Sequence, residues 1–185
     1  MKKLLLSAVA AVATFAMTPS QAADMRMLSS WDQNYPQRQM LVEPFIKDVE
    51  EGTKGGIKIR VSGPETVPSF EQLEPVGSGV FQLLFTHGAY HFGTSPIATA
   101  VEALAGTLEE WRKGGIKEHL DQHYARFGVK LLMLAPSAPG QGYHMVLRSP
   151  VKPGGDLQGY KIRATPTYDG VLKLLNASPV IVSSA

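Results

Sequence analysis

The 185-residue chain contains no cysteine. This absence excludes thiol catalysis, thiolate metal ligands and disulfide bonds. The chain also lacks a surplus of either charge. It has 18 Lys and Arg against 16 Asp and Glu, and two of the lysines, Lys2 and Lys3, lie at its start. Without those two, 16 basic residues face 16 acidic ones. Because no basic footprint remains, we predict that nucleic acid is not a partner.

Several motifs of catalytic and cofactor sites are missing as well. There is no Walker loop and no G-x-G-x-x-G, and Gly77-Ser78-Gly79 lacks the G-x-S-x-G frame of a serine nucleophile. His119 and His123 are four residues apart on a predicted helix, but H-L-D-Q-H is not the H-E-x-x-H of zinc peptidases. We therefore expect a solvated helix flank there, and a hydrolase interpretation has no local support.

Long apolar runs are absent after the N-terminus, where one short run stands out. Residues 4–17 are apolar, follow the two lysines and lead into small residues at 19–23. A membrane-spanning helix needs roughly 20 apolar residues, so this run is too short to span comfortably. Its layout is that of a secretory signal peptide. We predict a signal peptide at 1–22, a mature N-terminus at Ala23, a periplasmic location and no stable membrane insertion.

Apolar strand patterns alternate with helical ones along the rest of the chain, which favours an α/β protein. Thr107 and Glu110 form a capping box for one helix, and Pro44 is expected to kink another or to start a new turn. Strands are predicted at 25–28, 57–61, 80–85, 129–134, 143–147 and 179–182. Helices are predicted at 40–49, 70–76, 96–105, 107–127 and 167–175, the last capped by Thr167. We expect the strand at 179–182 to lack a partner.

Two loops that follow predicted strands are rich in aromatic and polar side chains. One follows the first strand and includes Asp32 and Tyr35. The other follows the strand at 80–85. Since open α/β sheets bind ligands at the carboxyl ends of their strands, we expect ligand contacts from these loops. The candidates are Trp31, Asn34, His87, Gly88, Ala89 and Tyr90.

A third candidate is an arginine at a strand end. Residues 156–163 read as a turn that feeds a short strand ending at Arg163, and Pro166 follows at once. The planar guanidinium forms two parallel hydrogen bonds with a carboxylate. We predict that Arg163 contacts the carboxylate of a ligand, with support from Tyr90 and Tyr168.

The segment L-Q-G-Y-K-I-R at 157–163, with L-N-A-S-P-V at 175–180, resembles the solute-binding subunits of tripartite ATP-independent periplasmic (TRAP) transporters, the DctP-like family. Its members carry D-L-K-G-x-K-I-R and then a segment like L-G-A-x-P-V. The resemblance implies a periplasmic binding protein-like α/β fold with two lobes around a hinged cleft. It places the first lobe at 23–147 and the start of a second, incomplete lobe at 148–185, since full-length members are longer.

The same resemblance implies a function. Arg163 matches the family's carboxylate clamp, while Tyr143 and His144 stand where many members carry a second arginine, which makes both candidate ligand contacts. The implied role is capture of a small organic acid and its delivery to the membrane subunits of a TRAP permease, by a protein that is not an enzyme and needs neither metal nor cofactor. Two alternatives stay open: a periplasmic enzyme with His87 or His144 as a base, and a ligand-binding lobe of another transporter or of a sensor.

Overall fold

The computed structural model describes residues 22–101, 104, 106–135, 144–151 and 153–183. Its first sheet has three parallel strands, β1 (Ala23–Ser29), β2 (Ile57–Ser62) and β3 (Leu83–Phe85), in the order β2-β1-β3. The first two confirm the predicted strands. The third is shorter than the predicted 80–85, because residues 80–82 form a bend before the strand begins.

Helix α1 (Glu43–Gly52) connects β1 to β2 and covers one face of this sheet. The buried centre between them consists of Met27 from β1, Ile59 from β2 and Val42 from the turn before the helix. Partly buried apolar side chains surround that centre on both elements. The helix is therefore held by the apolar stripe that its sequence spacing predicts.

A π-helical turn, Arg38–Val42, precedes α1. The Glu43 N–H donates to the carbonyl of Arg38, five residues back, instead of four. Pro44 follows at the start of α1, has no N–H to donate, and its ring would clash with the carbonyl four residues before it. The wider turn accommodates both effects, so the proline starts a new helix, one of the two expected outcomes.

The remaining helices of the first part are short: α2 (Leu73–Gly77), α3 (Ile97–Ala100), α4 (Leu108–Lys113) and α5 (Ile116–Ala125). The capping box of Thr107 and Glu110 is confirmed at the start of α4. The single helix predicted at 107–127 is wrong: it is two helices, because Gly115 has a φ of +70° and breaks the chain between them.

A second sheet contains β4 (Lys161–Ala164) and β5 (Ser178–Ile181), which pair in parallel. Helix α6 (Asp169–Leu174) connects them, and Leu157, Leu172 and Ala177 form the buried centre beneath it. The expectation of an unpartnered strand at 179–182 is therefore wrong, since the helix returns the chain beside β4 in a β-α-β unit.

Two other local predictions are wrong. Residues 129–134 and 144–147 form no strand: they belong to neither of the two sheets in the described part of the chain, and Val146 is 90% exposed. Thr167 does not cap α6: it lies in a 3₁₀ turn, Pro166–Tyr168, and Tyr168 occupies the position before the helix. Residue 143, the signal segment 1–21 and residues 184–185 lie outside the described residues.

Among the residues described, no helix combines the length and the apolar character that crossing a membrane requires. The two sheets lie on opposite sides of the predicted lobe boundary at 147/148. That boundary stays a prediction.

Candidate functional site

Polar residues are buried where β1 ends, at the carboxyl edge of the first sheet. Ser29 and Ser30 are both 0% exposed, and Gln72 beside them is 1% exposed. The Gln72 amide donates to the carbonyls of Ser29 (3.0 Å) and Val67 (2.9 Å), and its Oε1 accepts from the Ser30 hydroxyl (2.8 Å). Ser30 also bonds Thr86 after β3, at 2.7 Å. This network joins the ends of β1 and β3 and fixes both loops.

We expect Gln72→Ala to lower the free energy of unfolding by about 2 kcal/mol, because the carbonyls of Ser29 and Val67 would lose the buried amide that donates to both of them. Gln82→Ala is the matched control, since Gln82 also bonds backbone groups, the N–H of Arg26 on β1 and the carbonyl of Gly79, but is exposed to solvent, which can replace both bonds. It should cost less than about 1 kcal/mol. Urea unfolding of both variants measures the difference, and equal losses would contradict the role assigned to the network.

An aromatic cluster covers this network on the side of the loops. Trp31 (8% exposed) and Tyr90 (3% exposed) lie at its centre with ring centroids 5.7 Å apart. Phe85 approaches Trp31 at 5.0 Å and Phe70 approaches Tyr90 edge-on at 5.3 Å, while Tyr35 stacks on Trp31 at 5.8 Å. Aromatic pairs in such geometries stabilise a fold by more than the burial of their apolar area alone. The structure therefore brings Trp31 and Tyr90, both predicted ligand contacts, together in one packed aromatic cluster.

The loop after β3 turns tightly at Gly88–His91. The Ala89 N–H donates to the ring Nδ1 of His87 at 3.2 Å, which caps this turn. A Cβ on Gly88 would lie 2.5 Å from the carbonyl oxygen of Ala98, so the turn packs against backbone and only glycine fits. His87, Gly88, Ala89 and Tyr90, all predicted contacts, thus form one rigid unit.

This turn contacts the turn Pro166–Tyr168, which follows β4 in the second sheet. Tyr168 itself packs against the buried centre of the second sheet. The hydroxyl oxygens of Thr165 and Thr167 are buried and make no hydrogen bond within the described part of the chain. Two loops that follow strands of different sheets therefore meet, and unsatisfied hydroxyls lie in one of them. Thr165 was not among the predicted contacts, and Thr167 was predicted to cap the following helix.

Arg163 lies on β4, one residue before its end, and its side chain is exposed. Its Nη2 donates to the carbonyl oxygen of Ser183. Within the residues that the structure describes, no acidic side chain forms an ion pair with it. Its guanidinium is therefore accessible on the strand that leads directly into the loop of Thr165 and Thr167.

Of the three remaining predicted contacts, two are exposed and one lies outside the described residues. Asn34 is exposed and lines a separate pocket at the ends of β1 and β2. His144 is exposed in a segment without regular structure. Tyr143 lies outside the described residues.

Two further histidines make side-chain hydrogen bonds to hydroxyl groups. His91 is 6% exposed, and its Nε2 lies 2.7 Å from the Tyr124 hydroxyl. Burial, with a smaller effect of His87, lowers the pKa of His91 from 6.5 to about 4, and burial raises the pKa of Tyr124 to about 12. His123, one of the two histidines weighed as metal ligands, bonds the buried Ser95 hydroxyl at 2.7 Å. No group of three metal-ligating side chains occurs among the described residues.

Comparison with solved structures identifies the fold. A TRAP periplasmic solute-binding protein from Pseudoalteromonas atlantica T6c, with bound sodium and pyruvate, matches with a TM-score of 0.71 and 24% identity over 89% of this chain and 52% of its own. The chain has the TRAP solute-binding protein fold. A second such protein, from Colwellia psychrerythraea with bound calcium and pyruvate, matches with a TM-score of 0.69 and 22% identity over 86% of this chain and 50% of its own.

DctP7 of Bordetella pertussis, an extracytoplasmic solute receptor binding pyroglutamic acid, matches with a TM-score of 0.61 and 21% identity over 88% of this chain and 55% of its own. The chain spans about half the length of these structures. The predicted TRAP-like α/β fold is confirmed. All three are binding proteins or receptors. No family model matches the chain.

Proposed function

We propose that this chain is part of a periplasmic solute-binding protein that captures a small organic acid for a TRAP-type permease. The observation that carries the proposal is the contact between the turns Gly88–His91 and Pro166–Tyr168. Each turn follows a strand of a different sheet, and ligands of open α/β sheets bind at such carboxyl ends. A ligand held between the two would favour a closed arrangement of the lobes.

The chemistry of the second loop supports a carboxylate. Arg163 offers a guanidinium without an acidic partner in the described part of the chain, and the buried Thr165 and Thr167 hydroxyls donate to nothing there. Buried hydroxyls are nearly always hydrogen-bonded in native proteins, so a ligand oxygen is a natural partner for them. Pyruvate and pyroglutamate, bound by the matched structures, are both small carboxylates.

The enzyme alternative gains no support from its two candidate bases. The Nδ1 of His87 accepts a hydrogen bond from the Ala89 N–H of its own turn, and His144 is exposed in residues without regular structure.

Delivery to permease subunits, export through the segment 1–22 and the periplasmic location also belong to the proposal. Permease reading frames beside the gene and N-terminal sequencing that begins at Ala23 would support them.

We expect Arg163→Ala in the intact protein to weaken carboxylate binding at least about tenfold, about 1.4 kcal/mol. Charged hydrogen bonds of this kind contribute roughly 1.5–3 kcal/mol. Arg163→Lys should recover only part of the affinity, since an ammonium lacks the planar fork. Calorimetric titration with pyruvate and pyroglutamate measures the effect.

Arg60→Ala is the control for this variant. Arg60 is another exposed strand arginine, but it already pairs with Asp24 at 3.0 Å. Its removal should leave affinity unchanged, and both variants should melt close to the wild-type temperature, since exposed pairs contribute about 0–1 kcal/mol. If Arg163→Ala binds the acid as tightly as wild type, the clamp assignment is wrong.

A further inference from the structure

Three polar side chains, Gln72, Ser30 and Thr86, form a hydrogen-bond series that runs outward to the carboxyl edge of the first sheet. Gln72 and Ser30 are 1% and 0% exposed, whereas Thr86 is half-buried and directly follows β3. The Gln72 Oε1 lies 2.8 Å from the Ser30 hydroxyl, which in turn lies 2.7 Å from the Thr86 hydroxyl. The series therefore ends at the edge where ligands of such sheets bind.

Two backbone carbonyls fix the orientation of the Gln72 amide. The carbonyl oxygens of Ser29 and Val67 lie 3.0 and 2.9 Å from one end of this amide. A carbonyl oxygen can only accept, so that end of the amide is its NH₂ group, and both protons of the group are used. The other end is the oxygen, which can only accept, and it faces the Ser30 hydroxyl.

The direction of the two remaining bonds follows, because each hydroxyl has one proton. The Ser30 proton goes to Gln72 Oε1, since two buried oxygens 2.8 Å apart without a proton between them would repel each other. Ser30 then has no proton left for Thr86, so the Thr86 hydroxyl donates to Ser30. The His87 carbonyl, 3.5 Å from the Thr86 hydroxyl, is too distant to compete for this proton.

Thr86 consequently offers acceptor positions and no proton on its outer side. A hydroxyl oxygen accepts through two lone pairs, and within the described residues nothing donates to that of Thr86. Thr86 immediately precedes His87, which caps the turn Gly88–His91, and this turn contacts the turn Pro166–Tyr168. Because the proposed ligand lies between these two turns, Thr86 presents its acceptor at one end of that site.

We propose that Thr86 determines specificity by selecting acids that carry a hydroxyl or an N–H on the carbon next to the carboxylate. The ligand donates this hydrogen to Thr86 while its carboxylate faces Arg163, and a 2-keto acid is disfavoured because it places a second acceptor against the first. The proposal rests on the proposed function, since it names the ligand class of the same site. Thr86 was not among the predicted contacts.

Calorimetric titration of the intact protein with two pairs of acids tests the proposal. L-Lactate has a hydroxyl where pyruvate has a keto oxygen, and pyroglutamate has an N–H where 5-oxotetrahydrofuran-2-carboxylate has a ring oxygen. We expect the acid with the donor to bind at least about tenfold more tightly in at least one pair, the effect of one hydrogen bond. Equal affinities within both pairs, or binding of none of the four acids, would overturn the proposal.

Variants of Thr86 test whether this residue causes the preference. Thr86→Val keeps the shape of the side chain without its acceptor and should reduce the preference to less than about threefold. Thr86→Ser keeps the hydroxyl and should retain the preference. Thr94→Val, at an exposed position just beyond the same turn, is the control and should leave it unchanged. A preference that survives in Thr86→Val would contradict the assignment.

Ser30→Ala tests the direction of the proton. Without the Ser30 oxygen, the Thr86 hydroxyl has no inward acceptor within 3.0 Å and can donate to a keto oxygen instead. We therefore expect the preference for lactate over pyruvate to fall at least about threefold although Thr86 is intact. An unchanged preference in this variant would mean that the proton of Thr86 is not directed by the series.

The same titrations separate this inference from the proposed function. If Arg163→Ala weakens the binding of all four acids while the two members of each pair bind alike, the proposed function stands and this inference fails. If the pairs are discriminated and Thr86→Val removes the discrimination, but Arg163→Ala has no effect, the carboxylate clamp of the proposed function fails and this inference stands.

Discussion

Gly77→Ala should lower the free energy of unfolding by about 3 kcal/mol, at the upper end of the usual cost of overpacking. Gly77 ends α2, and a Cβ there would lie 2.1 Å from the carbonyl oxygen of Phe127, just beyond α5. That carbonyl cannot move away easily, because the Phe127 N–H bonds Tyr124 (2.9 Å) and the Gly128 N–H bonds Ala125 (3.1 Å). The clash is with backbone, so a side-chain rotation cannot relieve it.

Gly52→Ala provides the control. Gly52 ends α1, and a Cβ there would meet no atom within 4 Å. Alanine favours a helix by up to about 1 kcal/mol over glycine, so this variant should be as stable as wild type or slightly more stable. Urea unfolding compares the two. If both variants lose less than about 1 kcal/mol, α2 and α5 do not approach as closely as their backbones indicate.

The helices and strands that were predicted correctly are those whose formation depends on residues close together in the sequence. Ile57, Ile59 and Val61 alternate with polar residues, and this strand forms because its apolar side chains meet α1. The capping box of Thr107 and Glu110 is likewise local, since both partners lie within one turn. Residues 129–134 have an equally apolar pattern, but a strand also requires a neighbour, which a local pattern cannot supply.

In the candidate site, too, features set by neighbouring residues were predicted, and features set by residues distant in the chain were not. The rule that ligands meet the ends of strands identified the loops of Trp31 and Tyr90, which the structure brings together. Gln72 was missed because nothing in its local sequence shows that it bonds Ser29 and Ser30, about 40 residues away in the chain.

Stability should fall as the pH is lowered from 6.5 to 4, and His91 should cause up to about 3 kcal/mol of that fall. Burial lowers the pKa of folded His91 to about 4, against 6.5 for the ordinary side chain. Above pH 6.5 the imidazole is neutral in both states and the pH has no effect through it. Between 6.5 and 4 only the unfolded chain takes up the proton, which favours unfolding. Below about pH 4 the stability that depends on neutral His91 is fully lost.

His91→Gln isolates this contribution, because the amide can still bond the Tyr124 hydroxyl but does not titrate. The variant should show a smaller difference in unfolding free energy between pH 7 and pH 4, by up to about 3 kcal/mol, while the carboxylates titrate alike in both proteins. His119→Gln, at an exposed position on the same helix as Tyr124, should keep the wild-type dependence. Urea unfolding at a series of pH values gives the comparison. Parallel curves for wild type and His91→Gln would mean that His91 is not buried in its neutral form, and that the packing between the turn Gly88–His91 and α5 is looser than the 2.7 Å contact indicates.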